Sequence, residues 1–225
     1  MNYTYLFIDL ALLLLPVLLF SIRQLNFTDQ SKFIVLAVLI SVFSFSIPTE
    51  FMTQLKVIVF NPPYLSGMTL WQLPVEELLL LFILPLSGLA VYLFLNHRFP
   101  ANSLEKYSLA FSNIMLGVCI AMLYFGHQKL YTLFTFSILF VFILYIEYVN
   151  KIRFMYRFYR AFLVTLIPFY MVYGVLANLP VIQYNSTETL NFNQFNIPFE
   201  TPFYFMGMLL LSIYLFEFFK LRSRR

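Results

Sequence analysis

Two short segments of the sequence place glutamates directly after a proline, and an aromatic–asparagine pair precedes each segment at the same distance. Phe60-Asn61 stands fourteen residues before Pro74-Val75-Glu76-Glu77. Tyr184-Asn185 stands fourteen residues before Pro198-Phe199-Glu200. Proline is favoured at the start of a helix, so we expect these carboxyl groups in the first turns of two helices. Because a carboxyl group can both donate and accept a proton, the three glutamates are candidates for general acid–base catalysis.

The segments that must position these glutamates are long and apolar. Hydrophobic residues make up 61% of the 225-residue chain and charged residues 11%, whereas a soluble domain carries about 25% charged residues. The natural solvent for most of this surface is therefore lipid. The apolar segments are continuous rather than alternating, so we predict an all-α integral membrane protein. Seven transmembrane helices, the second being the shortest, are predicted over residues 3–22, 33–48, 74–95, 107–125, 130–149, 161–179 and 198–219.

The distribution of basic residues predicts the orientation in the cell membrane. With seven spans, two of the fourteen Lys and Arg residues fall on the side of the N-terminus and twelve fall on the opposite side. The positive-inside rule then places the N-terminus outside and the C-terminus in the cytoplasm. Residues 50–72 and 180–197, which contain the aromatic–asparagine pairs, are expected outside.

The two motifs also predict an internal repeat, because every matched position is offset by 124 residues. Spans 1–3 match spans 5–7, and span 4 is left over. We predict a 3+1+3 parallel repeat, in which a single connecting helix gives both units the same orientation. Residues 1–98 form the first three-helix repeat, residues 99–128 the connecting helix, and residues 129–225 the second repeat.

Each of these polar residues has a structural and a functional interpretation. A carboxylate at a helix N-terminus is stabilised by the helix dipole, but ionisable residues at membrane depth are costly and are candidates for function. Asn61 and Asn185 either form turns with their own backbone or orient the glutamates. The third Pro-x-Glu, which ends in Glu50, lacks the aromatic–asparagine pair and is interpreted as chance. Asp9 is a single carboxylate close to the outer interface, and Glu147 is expected to pair with the basic loop 151–160.

The aromatic content is large, with 29 Phe and 16 Tyr. These rings either face lipid and form interfacial belts or line a cavity in which their faces stabilise a carbocation. The aromatic residues near the glutamates, which are the candidates for the second role, are Tyr64, Trp71, Phe195, Phe203 and Tyr204.

Several classes of site are not expected. Cys119 is the only cysteine, and His97 and His127 are the only histidines, so no metal site is predicted. No Gly-x-Gly is present to hold a phosphate. The basic residues lie between apolar segments and are explained by topology, so nucleic-acid binding is not predicted.

The segments Phe60-Asn61-Pro62…Leu73-Pro74-Val75-Glu76-Glu77 and Tyr184-Asn185…Ile197-Pro198-Phe199-Glu200 resemble the motif pair of the small membrane lycopene cyclases. These enzymes occur as two three-helix subunits or as fused seven-helix chains, and the resemblance covers essentially the whole chain. It implies a lycopene cyclase, an isomerase of carotenoid biosynthesis, that closes the ψ ends of lycopene to ionone rings with Glu76, Glu77 and Glu200 as catalytic residues. Thr201 departs from the family, which usually has a second acidic residue there, so the halves are not expected to be equivalent.

The chemistry requires a proton to be delivered to an alkene carbon and another to be removed from a ring carbon, with no net redox change. No cofactor is therefore expected, since carboxyl groups can perform both steps. The expected partners are lycopene or a related acyclic carotenoid, the lipid bilayer, and further copies of the chain or other carotenoid enzymes. Asn61, Asn185 and the five aromatic residues above are expected to bind substrate.

Two other functions fit the same layout. A SWEET-like transporter also has a 3+1+3 parallel repeat, but its Pro-Gln signature does not occur in this sequence. A non-catalytic carotenoid-binding membrane subunit is the third interpretation, and it predicts that the glutamates are dispensable.

Overall fold

The computed structural model describes residues 3–22, 27–101, 105–150 and 152–223 of the chain. The described residues contain seven α-helices: α1 (Thr4–Phe20), α2 (Phe27–Gln54), α3 (Val75–Arg98), α4 (Ser108–Phe125), α5 (Leu130–Leu144), α6 (Met155–Asn178) and α7 (Glu200–Arg222). A π-helical turn, Tyr145–Val149, continues α5. The predicted number and order of helices are confirmed.

Six of the seven helices are long and apolar enough to cross a membrane. The exception is α1, an apolar helix of 17 residues, which lies at the lower end of the roughly 17–25 residues found in spanning helices. These helices confirm the prediction of a helical membrane protein.

The second predicted span, residues 33–48, differs most from the structure. It was expected to be the shortest, but α2 has 28 residues and is the longest described helix. The expected end, Pro48, lies inside α2, and the polar residues around it do not break the helix. The hydroxyl groups of Thr49 and Thr53 donate to backbone carbonyl groups four residues earlier. Such bonds satisfy polar side chains within the helix, so hydropathy alone placed its end too early.

The centre of the bundle is formed by α3 and α7. Helix α3 packs against α1, α2, α6 and α7, and α7 also packs against α2 and α5. Gly88 of α3 faces Leu209 of α7 so closely that a methyl group at Gly88 would collide with the leucine side chain. A small residue thus allows the two helices to approach, as is common in membrane bundles. Helix α4 is the least buried of the spanning helices and packs mainly against α5.

The described segments between the helices include three antiparallel pairs of very short strands. Strand β1 (Ile58–Phe60) pairs with β4 (Ile182–Tyr184). The other two pairs are hairpins directly before the central helices: β2 (Thr69–Leu70) with β3 (Leu73–Pro74), and β5 (Asn193–Gln194) with β6 (Ile197–Pro198). Because β1 follows α2 and β4 follows α6, their pairing brings the two loop segments together at one end of the bundle.

Candidate active site

Glu76 lies in the first turn of α3, directly after the β2–β3 hairpin. Its side chain is buried, and its Oε1 accepts a 2.6 Å hydrogen bond from the backbone N–H of Ser66. The hairpin turns at Trp71, which adopts a positive φ of 57°. This turn leads the chain into α3, and the loop before the hairpin contacts the glutamate through Ser66.

Glu77 is the next residue of α3, and it contacts a different helix. Its Oε2 accepts a 2.5 Å hydrogen bond from the phenol of Tyr5 in α1, and both side chains are buried. One helical turn after Tyr5, Asp9 is fully buried on the same face of α1 and interacts electrostatically with Glu77 and Glu76. Three carboxyl groups therefore lie near the contact between α1 and α3.

Glu200 is the first residue of α7 and is also fully buried. Its Oε1 accepts two hydrogen bonds of 2.7 Å, one from the hydroxyl of Thr132 in α5 and one from the backbone N–H of Leu190. Thr201 follows, and its hydroxyl accepts a 3.2 Å bond from the phenol of Tyr131. The predicted position of Glu76, Glu77 and Glu200 in first helical turns is confirmed.

The loops that hold the glutamates make the same backbone contacts in both halves. The bond from Ser66 to Glu76 recurs 124 residues later as the bond from Leu190 to Glu200. Further bonds recur with the same offset: Val57 to Met52 and Val181 to Leu176, Val75 to Met68 and Phe199 to Phe192. The two loops therefore have the same local structure around one glutamate each.

The two loops are also joined to each other. The N–H of Asn61 donates to the carbonyl of Val181, and the N–H of Asn185 donates to the carbonyl of Val57. These reciprocal bonds flank the β1–β4 pair. Both Pro-x-Glu motifs consequently lie at the same end of the bundle.

Five tyrosines surround the carboxyl groups. Four of them interact electrostatically with Glu77: Tyr5, Tyr173, Tyr184 and Tyr204. The fifth, Tyr131, packs its ring at a tilt against the rings of Tyr184 and Tyr204. The rings of Tyr131 and Tyr184 have centroids 5.4 Å apart. Tyr184 also interacts with Glu200, so it lies between the two motifs. Burial raises the pKa of the Tyr184 phenol above its ordinary value, so this group stays protonated well above neutral pH and can donate a hydrogen bond.

Two of the residues predicted to bind substrate lie in α7, and one of them, Tyr204, belongs to this tyrosine cluster. Tyr204 is buried and bonds to the hydroxyl of Thr49 and the carbonyl of Phe45. Phe203 is half-buried and packs on the rings of Phe136 and Phe199. Both side chains thus belong to the packed interior of the bundle.

The other predicted binding residues lie in the loops. Trp71 and Phe195 occupy the turns of the two hairpins and are 66% and 75% exposed, so the structure does not enclose them with the glutamates. Phe195 borders an apolar groove of about 470 Å³ on the surface of α6. Tyr64 is half-buried in a short 3-10 helix that Asn61 precedes.

Asn185 forms a turn with the backbone that follows it, which is one of the two roles predicted for this residue. Its side-chain Oδ1 accepts hydrogen bonds from the N–H and the hydroxyl of Thr187, at 3.0 and 2.9 Å. An asparagine that bonds two residues ahead forms an Asx turn. This turn directly follows β4 and begins the loop that leads to Glu200.

Tyr5, Tyr131, Thr132 and Tyr173 were not predicted as site residues, and Asp9 was predicted only as a single carboxylate with either a structural or a functional role. The missed signal was the spacing of Tyr5 and Asp9, which places a phenol and a carboxyl group on one face of an apolar helix. The predicted ion pair of Glu147 is confirmed, since Arg153 lies 3.6 Å from its Oε1. That pair lies near the opposite ends of the helices. In the described part of the chain, no group of three or more His, Cys, Asp or Glu side chains could hold a metal ion.

Comparison with known proteins gave one finding that covers most of the chain. The family model described as lycopene cyclase matches residues 2–95 and 128–219. No curated protein and no solved structure matches the chain. The two matched segments contain Glu76, Glu77 and Glu200 and leave out α4.

Proposed function

Since the chain belongs to the lycopene cyclase family, we propose that it closes the ψ ends of lycopene to ionone rings by carboxyl-mediated protonation and deprotonation, without a cofactor. The observation that carries this proposal is the burial of Glu76, Glu77 and Glu200 at one end of the bundle. Hydroxyl and backbone N–H groups contact them, at distances of 2.5–2.7 Å.

The reaction can be written with these groups alone. A protonated carboxyl group adds its proton to the terminal alkene and leaves a tertiary carbocation. The π electrons of a nearby alkene then form the ring bond, and a carboxylate removes a proton from a ring carbon. One proton is added and one is removed, so the product is an isomer of the substrate and no electrons are exchanged.

The surroundings of the glutamates suit a carbocation intermediate. Buried tyrosine rings present π faces that attract a cation, and nearby carboxylates stabilise it electrostatically. Burial of the three carboxyl groups also limits the access of water, which would otherwise capture the cation as an alcohol. We assign Glu77 and Glu76 to the acid–base steps and Glu200 to the second half of the same site.

We further propose that the chain is a 3+1+3 parallel repeat of residues 1–98 and 129–225, joined by residues 99–128. The recurrence of loop contacts with a 124-residue offset supports this arrangement. So does the antiparallel pairing of β1 with β4, because equivalent strands of an inverted repeat would lie at opposite membrane faces. The family match to residues 2–95 and 128–219 leaves out the proposed connector.

The proposed orientation places the N-terminus outside and the C-terminus in the cytoplasm. It rests on the 12:2 distribution of basic residues and on the positive-inside rule. Four of the twelve lie outside the described residues: Arg23, Lys151, Arg224 and Arg225. Both Pro-x-Glu motifs would then belong to one site on the outer side.

The decisive experiment is expression of the chain in a host that accumulates lycopene, followed by pigment analysis. We expect cyclic carotenes of unchanged mass with the wild-type chain and unchanged lycopene with a Glu76→Gln/Glu77→Gln double variant. A transporter or a carotenoid-binding subunit would leave lycopene chemically unchanged in both. Unchanged lycopene beside a normally inserted wild-type chain would contradict the proposal.

A further inference from the structure

The carboxyl group of Asp9 is buried without a hydrogen-bond partner. Its side chain is 0% exposed, and neither oxygen has a partner among the residues that the structure describes. Burying a polar group without a hydrogen bond reduces stability, and burying an unpaired charge reduces it further. Such a residue does not stabilise the fold, and within a membrane it is a candidate for function.

The position of Asp9 connects it to Glu77. Asp9 and Tyr5 are four residues apart in α1 and therefore lie on one face of the helix. That face packs against α3, where Tyr5 donates its hydrogen bond to Oε2 of Glu77. Asp9 interacts electrostatically with Glu77 and, less strongly, with Glu76. The two buried carboxyl groups of Asp9 and Glu77 therefore act on each other.

The two carboxyl groups differ in their hydrogen bonds. The phenol of Tyr5 points its O–H at Glu77, which stabilises the carboxylate form of that residue. Asp9 has no such donor among the described residues, so its carboxylate form is not stabilised. Two neighbouring buried carboxyl groups resist simultaneous ionisation, so the pair retains one proton. The hydrogen bonds favour Asp9 as the group that holds it.

We propose that Asp9 is the proton-holding partner of Glu77, a positioning residue that acts through Glu77 in the cyclisation described above. Neither Asp9 oxygen lies within hydrogen-bond distance of Glu77 in the structure, so the Asp9 side chain first rotates toward Glu77. Its proton then passes to the Glu77 carboxylate and from there to the alkene carbon. The proton released from the ring carbon returns by the same route, so both groups recover their initial state. This inference rests on the proposed function.

The second half of the chain has a corresponding contact between a tyrosine and the start of a central helix, but threonines stand where the first half has Asp9 and Glu77. Helix α5 begins 126 residues after α1, and Tyr131 and Thr135 lie 126 residues after Tyr5 and Asp9. Tyr131 donates to Thr201, and the Thr135 hydroxyl is buried and has no partner in the described chain. Because a threonine hydroxyl does not release a proton as a carboxyl group does, the proton-sharing pair belongs to the first half only.

The first test compares activity in Asp9→Asn with activity in the matched control Thr135→Val. Both substitutions replace a buried polar group that has no hydrogen-bond partner among the described residues, at corresponding positions of the two halves. We expect Asp9→Asn to lower the rate at saturating lycopene at least ~10-fold, with the half-saturating lycopene concentration nearly unchanged. Thr135→Val should retain the wild-type rate, and Asp9→Glu should recover part of the lost activity. A wild-type rate in Asp9→Asn would overturn the proposal.

The second test measures the pair independently of catalysis, by thermal denaturation in detergent. If Asp9 and Glu77 share a proton, Asp9→Asn raises Tm in the wild-type background and raises it less in the Glu77→Gln background, because the neighbouring carboxyl group is then already gone. Equal changes in both backgrounds, or a lower Tm, would show that Asp9 is a structural residue. A wild-type chain that formed no cyclic carotene would contradict the proposed function, and this stability cycle would still decide whether the pair exists.

Discussion

The phenol of Tyr5 donates a 2.5 Å hydrogen bond to Oε2 of Glu77 and so connects the first helix to the first turn of the third. The tyrosine 126 residues later, Tyr131, instead donates a 3.2 Å bond to the hydroxyl of Thr201. The same kind of contact between helices therefore ends on a carboxyl group in one half and on an alcohol in the other. This difference leads us to expect that the two halves contribute unequally to catalysis.

Removing the two phenol hydroxyls separately tests this inequality. We expect Tyr5→Phe to lower turnover by about 10–100-fold, because a hydrogen bond to a charged group contributes roughly 1.5–3 kcal/mol. Tyr131→Phe removes a bond between two neutral hydroxyls and should lower turnover much less. The measurement is the initial rate of cyclic product formation in membranes with equal amounts of each variant. Equal losses in the two variants would argue against a special role for the first half.

The glutamates of the first motif are expected to be required for the reaction. Glu76→Gln and Glu77→Gln should each lower turnover at least ~100-fold while membrane insertion stays normal, since general acid–base groups contribute about 10²–10⁴ in rate. Glu50→Gln is the matched control. This buried Pro-x-Glu carboxyl group accepts the backbone N–H of Gln72 at 3.2 Å, a bond that a glutamine oxygen can also accept. Wild-type turnover in both first-motif variants would assign those glutamates to structure alone.

Glu200 is expected to contribute less than the first motif. Its Oε1 accepts bonds from Thr132 and Leu190, and a glutamine oxygen could keep both. We expect Glu200→Gln to impair turnover less than Glu77→Gln, or to change the ratio of one-ring to two-ring product. Pigment extracts from cells that express each variant at the same level provide the comparison. Identical product profiles for both variants would show that Thr201 and its missing carboxyl group have no consequence.

A single site on one side of the membrane predicts sequential ring closure. A stretched C40 polyene is about as long as the ~30 Å hydrocarbon core, so its two ends cannot both occupy that site while it spans the bilayer. With limiting enzyme, a one-ring product similar to γ-carotene should accumulate early and then decline. A time course that shows two-ring product from the start, with no one-ring pool at any enzyme concentration, would contradict this expectation.

The orientation can be tested by cysteine labelling with a matched pair of serines. In a Cys119→Ala background, Ser186→Cys lies in the loop after β4 and Ser223→Cys directly follows α7, and both serines are exposed. We expect a membrane-impermeant maleimide to label position 186 in intact cells and position 223 only after lysis, as the positive-inside rule predicts. The reverse pattern would overturn the proposed topology.

Sequence alone determined the helices and the location of the glutamates because both depend on local properties. A segment in lipid must satisfy its own backbone groups, so a long apolar run already specifies a helix. A proline before a glutamate likewise specifies the start of a helix. The same reasoning failed at α2, where Thr49 and Thr53 bond back to the helix and allow it to continue beyond Pro48.

Only the tertiary structure decided which groups meet those glutamates. Tyr5 bonds to Glu77, and Asp9 interacts with it electrostatically, because α1 packs against α3. Hydrophobic patterning carries little information about which helix faces pack together inside a bilayer. Trp71 and Phe195 show that proximity in sequence does not ensure contact with the glutamates. They are close to the glutamates in sequence, but each occupies a hairpin turn with positive φ, at 57° and 54°, and points away from the packed interior. Proximity along the chain therefore identified the acids, whereas the packing of distant helices determined their partners.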